Sequence, residues 1–376
     1  MIDWENMQIE IIDNIDKFRT LEPEWNGLLD KYPGRNPFLT YEWMISWMEV
    51  FGKEIELFVI TIRHDNRLTA VAPLCIKPGG LLTFIGYPQN DYANLIVDRS
   101  ATGALEAIVK VIYEHGRKWK KIILDQFPEK DSQGEMLKEV LEKGKRPVRL
   151  ELSDSCPAMI LDDITAAKKM YYKRNITTYI NWFKQQGQFS YTFWPETTAA
   201  LVHLEDLFSQ HIKRWEGSAT PSAFKSEPMK EFYRAFVRRM HPRGWVQVSG
   251  LMLDDKFPAL YLTFEYGGIL YLYKTCFNLD YYKKSPGQVI LRYLFDYAVE
   301  RNLRELDFAR GDEGYKDRFA NAVRRNRRLV IYKSAGAMKA AGLFHAFRYS
   351  RAIDILYRNK PVQKLKYRIL QLYRRQ

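Results

Sequence analysis

Trp245-Val246-Gln247-Val248-Ser249-Gly250-Leu251-Met252-Leu253, Ala259-Leu260-Tyr261-Leu262-Thr263-Phe264-Glu265-Tyr266 and Ile269-Leu270-Tyr271-Leu272-Tyr273-Lys274-Thr275-Cys276 follow one another as three strand-like runs. Asp254-Asp255-Lys256 and Gly267-Gly268 separate them, residue types that accept the backbone of tight hairpins. The turn Lys283-Lys284-Ser285-Pro286-Gly287-Gln288 then opens an amphipathic helix ending near Asn302. A further strand, Glu305-Leu306-Asp307-Phe308-Ala309, runs into Arg310-Gly311-Asp312-Glu313-Gly314-Tyr315-Lys316. A meander, a helix and a returning strand predict a mixed α/β layer with a ligand crevice at the carboxyl end of that strand.

The same order of elements occurs earlier in the chain. A strand and a helix over residues 9–30 precede a helix that carries Trp43, Trp47 and Phe51, for which Thr40 is the N-cap. A hairpin over 55–76, a strand from Leu81, a helix over 102–119 and a strand from Lys121 follow, then a helix over 133–143 and a strand over 148–152. The hairpin contains Pro73, which lacks an amide donor and belongs at an edge or a bulge. After Asp154-Ser155-Cys156-Pro157 come a basic helix over 164–186, a strand from Phe189, and helices over 197–216 and 228–240. The echo predicts two similar α/β domains with mixed α+β sheets, 1–155 and 156–338, followed by a basic helical tail, 339–376.

The chain has 376 residues, 46% of them hydrophobic and 14% aromatic, enough for two cores and unlike a disordered chain. No apolar run is long enough to cross a bilayer, and the acidic start has no signal-peptide pattern, which points to the cytoplasm. Cys75, Cys156 and Cys276 are far apart and form no CxxC, so buried thiols are expected. The net charge of +13 is uneven: residues 1–155 hold 20 Lys/Arg against 25 Asp/Glu, whereas 156–338 hold 28 against 19. A polyanionic partner suits the second half. Metal-ligand spacing, a nucleotide-triphosphate loop and a GxSxG elbow are all missing from the sequence.

Pro37-Phe38-Leu39-Thr40-Tyr41-Glu42-Trp43, Ala72-Pro73-Leu74, Asp91-Tyr92, His211 with Arg214-Trp215, Ser285-Pro286-Gly287 and Asp307-Phe308 with Arg310-Gly311 and Tyr315-Lys316 occur in this order. Together they resemble the GNAT-superfamily acetyltransferases grouped with the CelD proteins and the BioF2-like acetyltransferase domain, relatives of the Fem-type peptidoglycan aminoacyl transferases. The resemblance covers residues from about 20 to 332 and implies a tandem pair of GNAT-like domains. It also implies acetyl-CoA or another acyl-CoA as co-substrate, with no permanently bound cofactor and no metal. The acceptor would be an amine or hydroxyl, such as a sugar of cell-surface polysaccharide. Two alternatives remain at this stage: a Fem-type enzyme that takes aminoacyl-tRNA, and a non-catalytic GNAT-like binding protein.

Unpaired amides at a helix start bind phosphate oxygens, so Lys284, Ser285, Pro286, Gly287 and Gln288 are candidates for the CoA diphosphate. The same residues also suit a plain helix start with Ser285 as N-cap and Pro286 at the first position. A backbone amide near Cys276 or Phe277 would hold the thioester oxygen. Asp307 can accept a proton from the nucleophile and Arg310 can hold an anion, or the two can form a structural ion pair. By resemblance, Tyr315 would protonate the departing thiolate; otherwise it anchors the next helix. Glu265 is a candidate acceptor contact or a residue of a polar outer face, and Asp91 and Tyr92 match the acceptor-side motif or form an Asx-capped turn. Trp215 is a further substrate contact by position, next to a His211 that reads as packed.

The tail from Lys339 has ten basic residues and an amphipathic pattern, suited to an anionic membrane at the inner face or to a partner helix. Liposomes with anionic lipid should float the full chain and not a chain lacking residues 339–376; equal flotation of both forms would remove the membrane role.

Overall fold

The computed structural model describes residues 7–98, 100–217 and 221–340. The rest of the basic tail lies outside the described residues. Two compact units emerge: one from the described parts of Met1–Pro33, Phe51–Ser153 and Arg327–Gln376, the other from Gly34–Val50 and Asp154–Asn326. This partition departs from the sequence boundaries at two segments. Residues 34–50 join the second unit, and the chain from Arg327 onward joins the first.

In the second unit the strands lie in the order Phe189–Phe193, Val246–Leu253, Lys256–Tyr266, Ile269–Phe277, Glu305–Asp307 and the end of Val148–Ile160. The meander forms as its turns dictate. Gly267 and Gly268 both have positive φ, 58° and 77°, and close the two-residue loop between paired Tyr266 and Ile269. Helix Pro286–Glu300 covers one face, burying Val289, Ile290, Leu294, Phe295 and Ala298. Helices Thr197–Arg214 and Glu227–Met240 pack on the same sheet.

The segment from 34 to 50 brings aromatic mass to this unit. Asn36 and Thr40 cap its two short helical starts, accepting from Phe38 N–H at 3.1 Å and Trp43 N–H at 3.3 Å. Helix Tyr41–Phe51 thereby sets the Trp43 ring against Phe38 (4.9 Å), Phe232 (4.9 Å) and Phe236 (5.1 Å). Arg239 grips the Glu49 carboxylate with two bonds of 2.7 and 2.8 Å, and Arg243 pairs with buried Glu42 at 2.9 Å.

Two irregularities shape the sheet next to the site. Leu262 pairs with Lys274 but Thr263 with Leu272, so Tyr273 is an extra residue in its strand. The bulge sends the Tyr273 ring into the aromatic group, 5.4 Å from Phe38 and 5.2 Å from Phe264. Just before it, Ile269–Tyr271 pair in parallel with Glu305–Asp307, and the pairing stops there. Beyond Asp307 the chain instead follows the other neighbour: Phe308 N–H donates to Pro157 C=O and Gly311 N–H to Ser155 C=O. Strand Ile269–Phe277 therefore runs on past the bulge without its parallel partner.

The first unit has a four-stranded antiparallel sheet in the order Met7–Ile12, Val59–His64, Arg67–Ala72, Ile96–Val97. Its second sheet includes Lys121–Pro128, Leu81–Phe84, Leu74–Lys77 and Glu56–Leu57. Pro73 stands where the expected second hairpin strand divides between these sheets.

Three sequence expectations are corrected. The helix over 164–186 is two helices, Ile164–Tyr171 and Arg174–Gln186, because Tyr171 turns into the core, stacks on Phe295 at 4.3 Å and bonds the Phe319 carbonyl. The stretch at 154–157, expected to be a linker ahead of the second unit, is part of a long strand, Val148–Ile160, although the division between the units does fall there, after Ser153. A further strand, Ala322–Ile331, lies where none was expected, since Arg324, Arg325, Arg327 and Arg328 obscure its pattern. Those charges are matched in place: Arg328 bonds buried Asp125 at 2.6 Å and Arg324 pairs with Glu305.

All three cysteines are buried and free. Among the described residues no helix is long and apolar enough to cross a membrane, and no group of His, Cys, Asp and Glu is placed to hold a metal ion. Trp43→Ala should cost roughly 3–5 kcal/mol, read as a lowered urea midpoint at unchanged slope; a loss below about 1 kcal/mol would show that the aromatic group is not what ties residues 34–50 to their unit.

Candidate active site

A cavity of about 460 Å³ opens in the second unit where strand Ile269–Phe277 has lost its parallel neighbour. Thr275 and Phe277 bound it from the strand, Ser285, Gly287 and Gln288 from the first turn of helix Pro286–Glu300, and Tyr261 and Tyr315 from below. Among the described residues its charged lining is Arg214, Lys283 and Arg318, with no carboxylate. Such a wall favours an anion.

The helix start is open by construction. Ser285 adopts a left-handed conformation (φ 45°) and makes no side-chain cap. Its carbonyl instead takes the N–H groups of Gln288 (2.8 Å) and Val289 (3.2 Å). Pro286 has no N–H, so the Gly287 amide is the donor left facing the cavity. Glycine is not required there by the backbone, and a Cβ would lie 3.8 Å from the Phe277 ring, an ordinary contact. A helical glycine costs about 1 kcal/mol relative to alanine, so its presence here fits a close approach by a ligand.

A second backbone donor lies on the strand. Asn278 N–H bonds Pro258 C=O at 2.9 Å. Bonding alternates along an antiparallel strand, so the Phe277 N–H points to the opposite edge, the one that Glu305–Asp307 has left. Of the two amides expected to hold an oxygen, the geometry selects Phe277. Cys276 points the other way: its buried thiol donates to Gln210 at 3.0 Å, and burial raises its pKa.

Tyr315 lines the cavity from the loop that follows Asp307. Burial first, then the nearby Glu313 carboxylate, pushes its hydroxyl up to about 12, while a hydrogen bond from Tyr261 and the Arg214 charge pull the other way. The phenol is therefore neutral near pH 7 and holds a proton it can donate. Lys316 fixes the loop. It is 3% exposed, bonds the Arg310 carbonyl at 2.8 Å and pairs with Glu313 at 2.8 Å.

Asp307 lies outside the lining. Its carboxylate accepts from Ala309 N–H at 2.7 Å, bracing a residue with φ 55°, and lies 3.8 Å from Arg324. Arg310 pairs with Asp154 at 3.9 Å, and the Lys284 ammonium sits 4.8 Å over the Trp182 ring. Neither lines the cavity. Glu265 accepts from the Tyr297 hydroxyl (2.6 Å) and Arg301 (3.0 Å) beneath the covering helix, so it is a packed ion pair and not a member of an outer face. Trp215 stacks on His211 at the end of helix Thr197–Arg214. Burial above all, with Lys274 and Arg214 nearby, holds His211 down at about 3, hence neutral. Asp91 and Tyr92 are buried in the first unit.

Several lining residues, Tyr261 and Arg318 among them, were not foreseen, and Arg214 enters the sequence reading only as part of the family pattern, with no role. Tyr261 is hidden in an apolar strand run, and Arg214 ends a helix, where a basic residue is ordinarily explained by the helix dipole. Its guanidinium lies 4.0 Å over the Phe277 ring, and burial lowers its pKa. The Trp215 ring lies 5.7 Å from it, and the sequence signal for it is its place beside His211 and Trp215 in the family pattern.

Residues 171–317 match the family described as acetyltransferase (GNAT) domain. None of the curated protein sequences matches the chain. Among solved structures, FemX overlaps 85% of this chain and 96% of its own length, with a TM-score of 0.58 at 11% identity. L-PGS from Bacillus licheniformis overlaps 85% of this chain and 93% of its own length, with a TM-score of 0.53 at 11% identity. A tandem GNAT protein from the clavulanic acid biosynthesis pathway overlaps 87% of this chain and 100% of its own length, with a TM-score of 0.50 at 11% identity. Residues 171–317 thus match a GNAT acetyltransferase domain, and the chain as a whole shares its fold with FemX and with a tandem GNAT protein.

Proposed function

We propose that the second unit transfers an acyl group from acyl-CoA, with acetyl-CoA as the first donor to try, to an amine or hydroxyl acceptor. The observation that carries this reading is the cavity itself, where Lys283 and Arg318 flank an open Gly287 amide, with no carboxylate of the described residues in its lining, beside a strand edge that exposes the Phe277 amide. The diphosphate would lie against Gly287, Lys283 and Arg318. The thioester oxygen would take the Phe277 N–H, which stabilises the charge that develops as the acceptor adds to the carbonyl carbon.

Transfer is direct. The acceptor nitrogen or oxygen forms its bond to the carbonyl carbon, the C–S bond breaks, and Tyr315 gives its proton to the sulfur. The acceptor's surplus proton leaves to water, and Tyr315 regains one from solvent. Positioning supplies the remainder of the rate. Asp307 and Arg310 act at a distance by holding the Tyr315 loop. A sugar amine or hydroxyl of a cell-surface polysaccharide is the proposed acceptor by analogy with the resembling group. The positive charge of residues 156–338 favours one competing donor, an aminoacyl-tRNA, whose binding would weaken steeply with salt.

Calorimetry with acetyl-CoA tests the assignment. Wild type should bind with a weak salt dependence, and Gly287→Val should lose roughly tenfold or more by covering the amide. No heat with acetyl-CoA, together with steeply salt-dependent tRNA binding, would replace the donor. Tyr315→Phe should lower thiol release with an amino-sugar panel by roughly 10²- to 10⁴-fold while leaving the acetyl-CoA affinity in place. Because the Tyr315 hydroxyl is held up to about 12, the rate should not fall between pH 7 and 10 through its ionisation. A Tyr315→Phe enzyme with undiminished turnover would remove the tyrosine from the chemistry.

A further inference from the structure

Arg214 is a cation in search of an anion. Its guanidinium is half-buried, sits 4.0 Å over the Phe277 ring and lines the cavity, and it has no hydrogen-bonded carboxylate among the described residues. A cation–π contact of this kind uses none of its N–H donors. A half-buried charge without an acceptor is costly, so a site that keeps one is built to be completed by a ligand.

The donor's phosphates are the less suitable partner. Lys283 and Arg318, both exposed, stand with Gly287 at the helix start and already form an anion site there. Arg214 comes from a different helix, one whose Gln210 bonds Cys276, the strand residue that points away from the Phe277 face. Its electrostatic neighbours are Cys276, Tyr315 and Tyr261, so it belongs to the end of the cavity where the reacting carbonyl would sit. Lys274 adds positive charge nearby, and the opposing acid is Glu313, which is exposed and paired with Lys316.

We propose that Arg214 receives a substrate carboxylate next to the reacting carbonyl: the distal carboxylate of a dicarboxylic acyl-CoA, or the carboxylate of an amino-acid-like acceptor. The planar fork of a guanidinium matches a carboxylate with two parallel bonds, so this contact selects the substrate as well as binding it. The inference rests on the acyl-CoA reading of the cavity and narrows it, from any acyl donor and acceptor to a pair of which one carries a carboxylate.

The test uses the full chain with Arg214→Gln, and with Arg214→Lys as a variant that keeps the charge but not the fork; thermal denaturation checks that both fold. Calorimetry first compares acetyl-CoA with succinyl-CoA, then titrates acetyl-CoA-saturated protein with L-amino acids and with their amides. One arm should show a preference for the carboxylate of roughly 10- to 100-fold in wild type. That preference should collapse in Arg214→Gln and largely in Arg214→Lys, with acetyl-CoA affinity changed by no more than about twofold. The arm that responds identifies the source. Intact acetyl-CoA binding with no carboxylate preference in either arm would overturn the proposal and leave the acyl-CoA reading standing. Equal weakening of CoA, acetyl-CoA and succinyl-CoA by Arg214→Gln would assign the guanidinium to the donor's phosphates instead. A wild-type chain that binds no CoA compound would remove both readings together.

Discussion

A parallel ladder that ends after three residue pairs is the constraint from which the second unit's site follows. Strand Ile269–Phe277 is paired with Glu305–Asp307 only as far as Tyr271, and from there its outer peptide groups have no neighbouring strand. Buried N–H groups without acceptors are expensive, so an interrupted ladder persists only where water or a ligand can complete it. The bulge at Tyr273 marks the same place. It adds twist to the strand, and its ring is secured by the aromatic group around Trp43 and Phe264. On the other flank, Asp307 and Lys316 use their charges on backbone groups of the departing loop. The opening is thus held from both sides by interactions that do not themselves face the ligand.

This division of labour explains why the acidic residue at the end of the strand does not line the cavity. A left-handed Ala309 has to be stabilised if the chain is to turn away after three residues, and the carboxylate two residues earlier does that. In the proposed reaction the chemistry falls to groups with less obvious side-chain identity: two backbone amides, a phenol whose environment keeps it protonated, and a stacked guanidinium. Each is weak alone in water, and each gains from a partly dry cavity.

The meander was legible because its turns are made of residues with few other uses, and the helix start because proline and glycine at successive positions have a narrow meaning. The Thr40 cap and Gly287 at the helix start could be anticipated from local sequence, whereas Phe277 and Tyr315 were reached only through the family resemblance. Other features could not. Strand Ala322–Ile331 is written in arginines, whose partners Asp125, Glu129 and Glu305 lie far away in sequence. Strand Val148–Ile160 continues through a Pro157 whose carbonyl, not its missing amide, is what the sheet uses. Tyr261 and the role of Arg214 escaped for the converse reason: each has an ordinary structural explanation, and only the shape of the cavity makes them something else.

The path of the chain carries a consequence for how the protein can be made and divided. Residues 34–50 leave the first unit's sequence to complete the second, and strand Ala322–Ile331 returns from the second to the first. Neither unit is therefore a continuous module. On the ribosome, the first unit must wait for its last strand until nearly the whole described chain has emerged, and the second must retain a helix synthesised long before its sheet. A cut near residue 155 would strand one element on each side, so evolution can exchange or lose these halves only together.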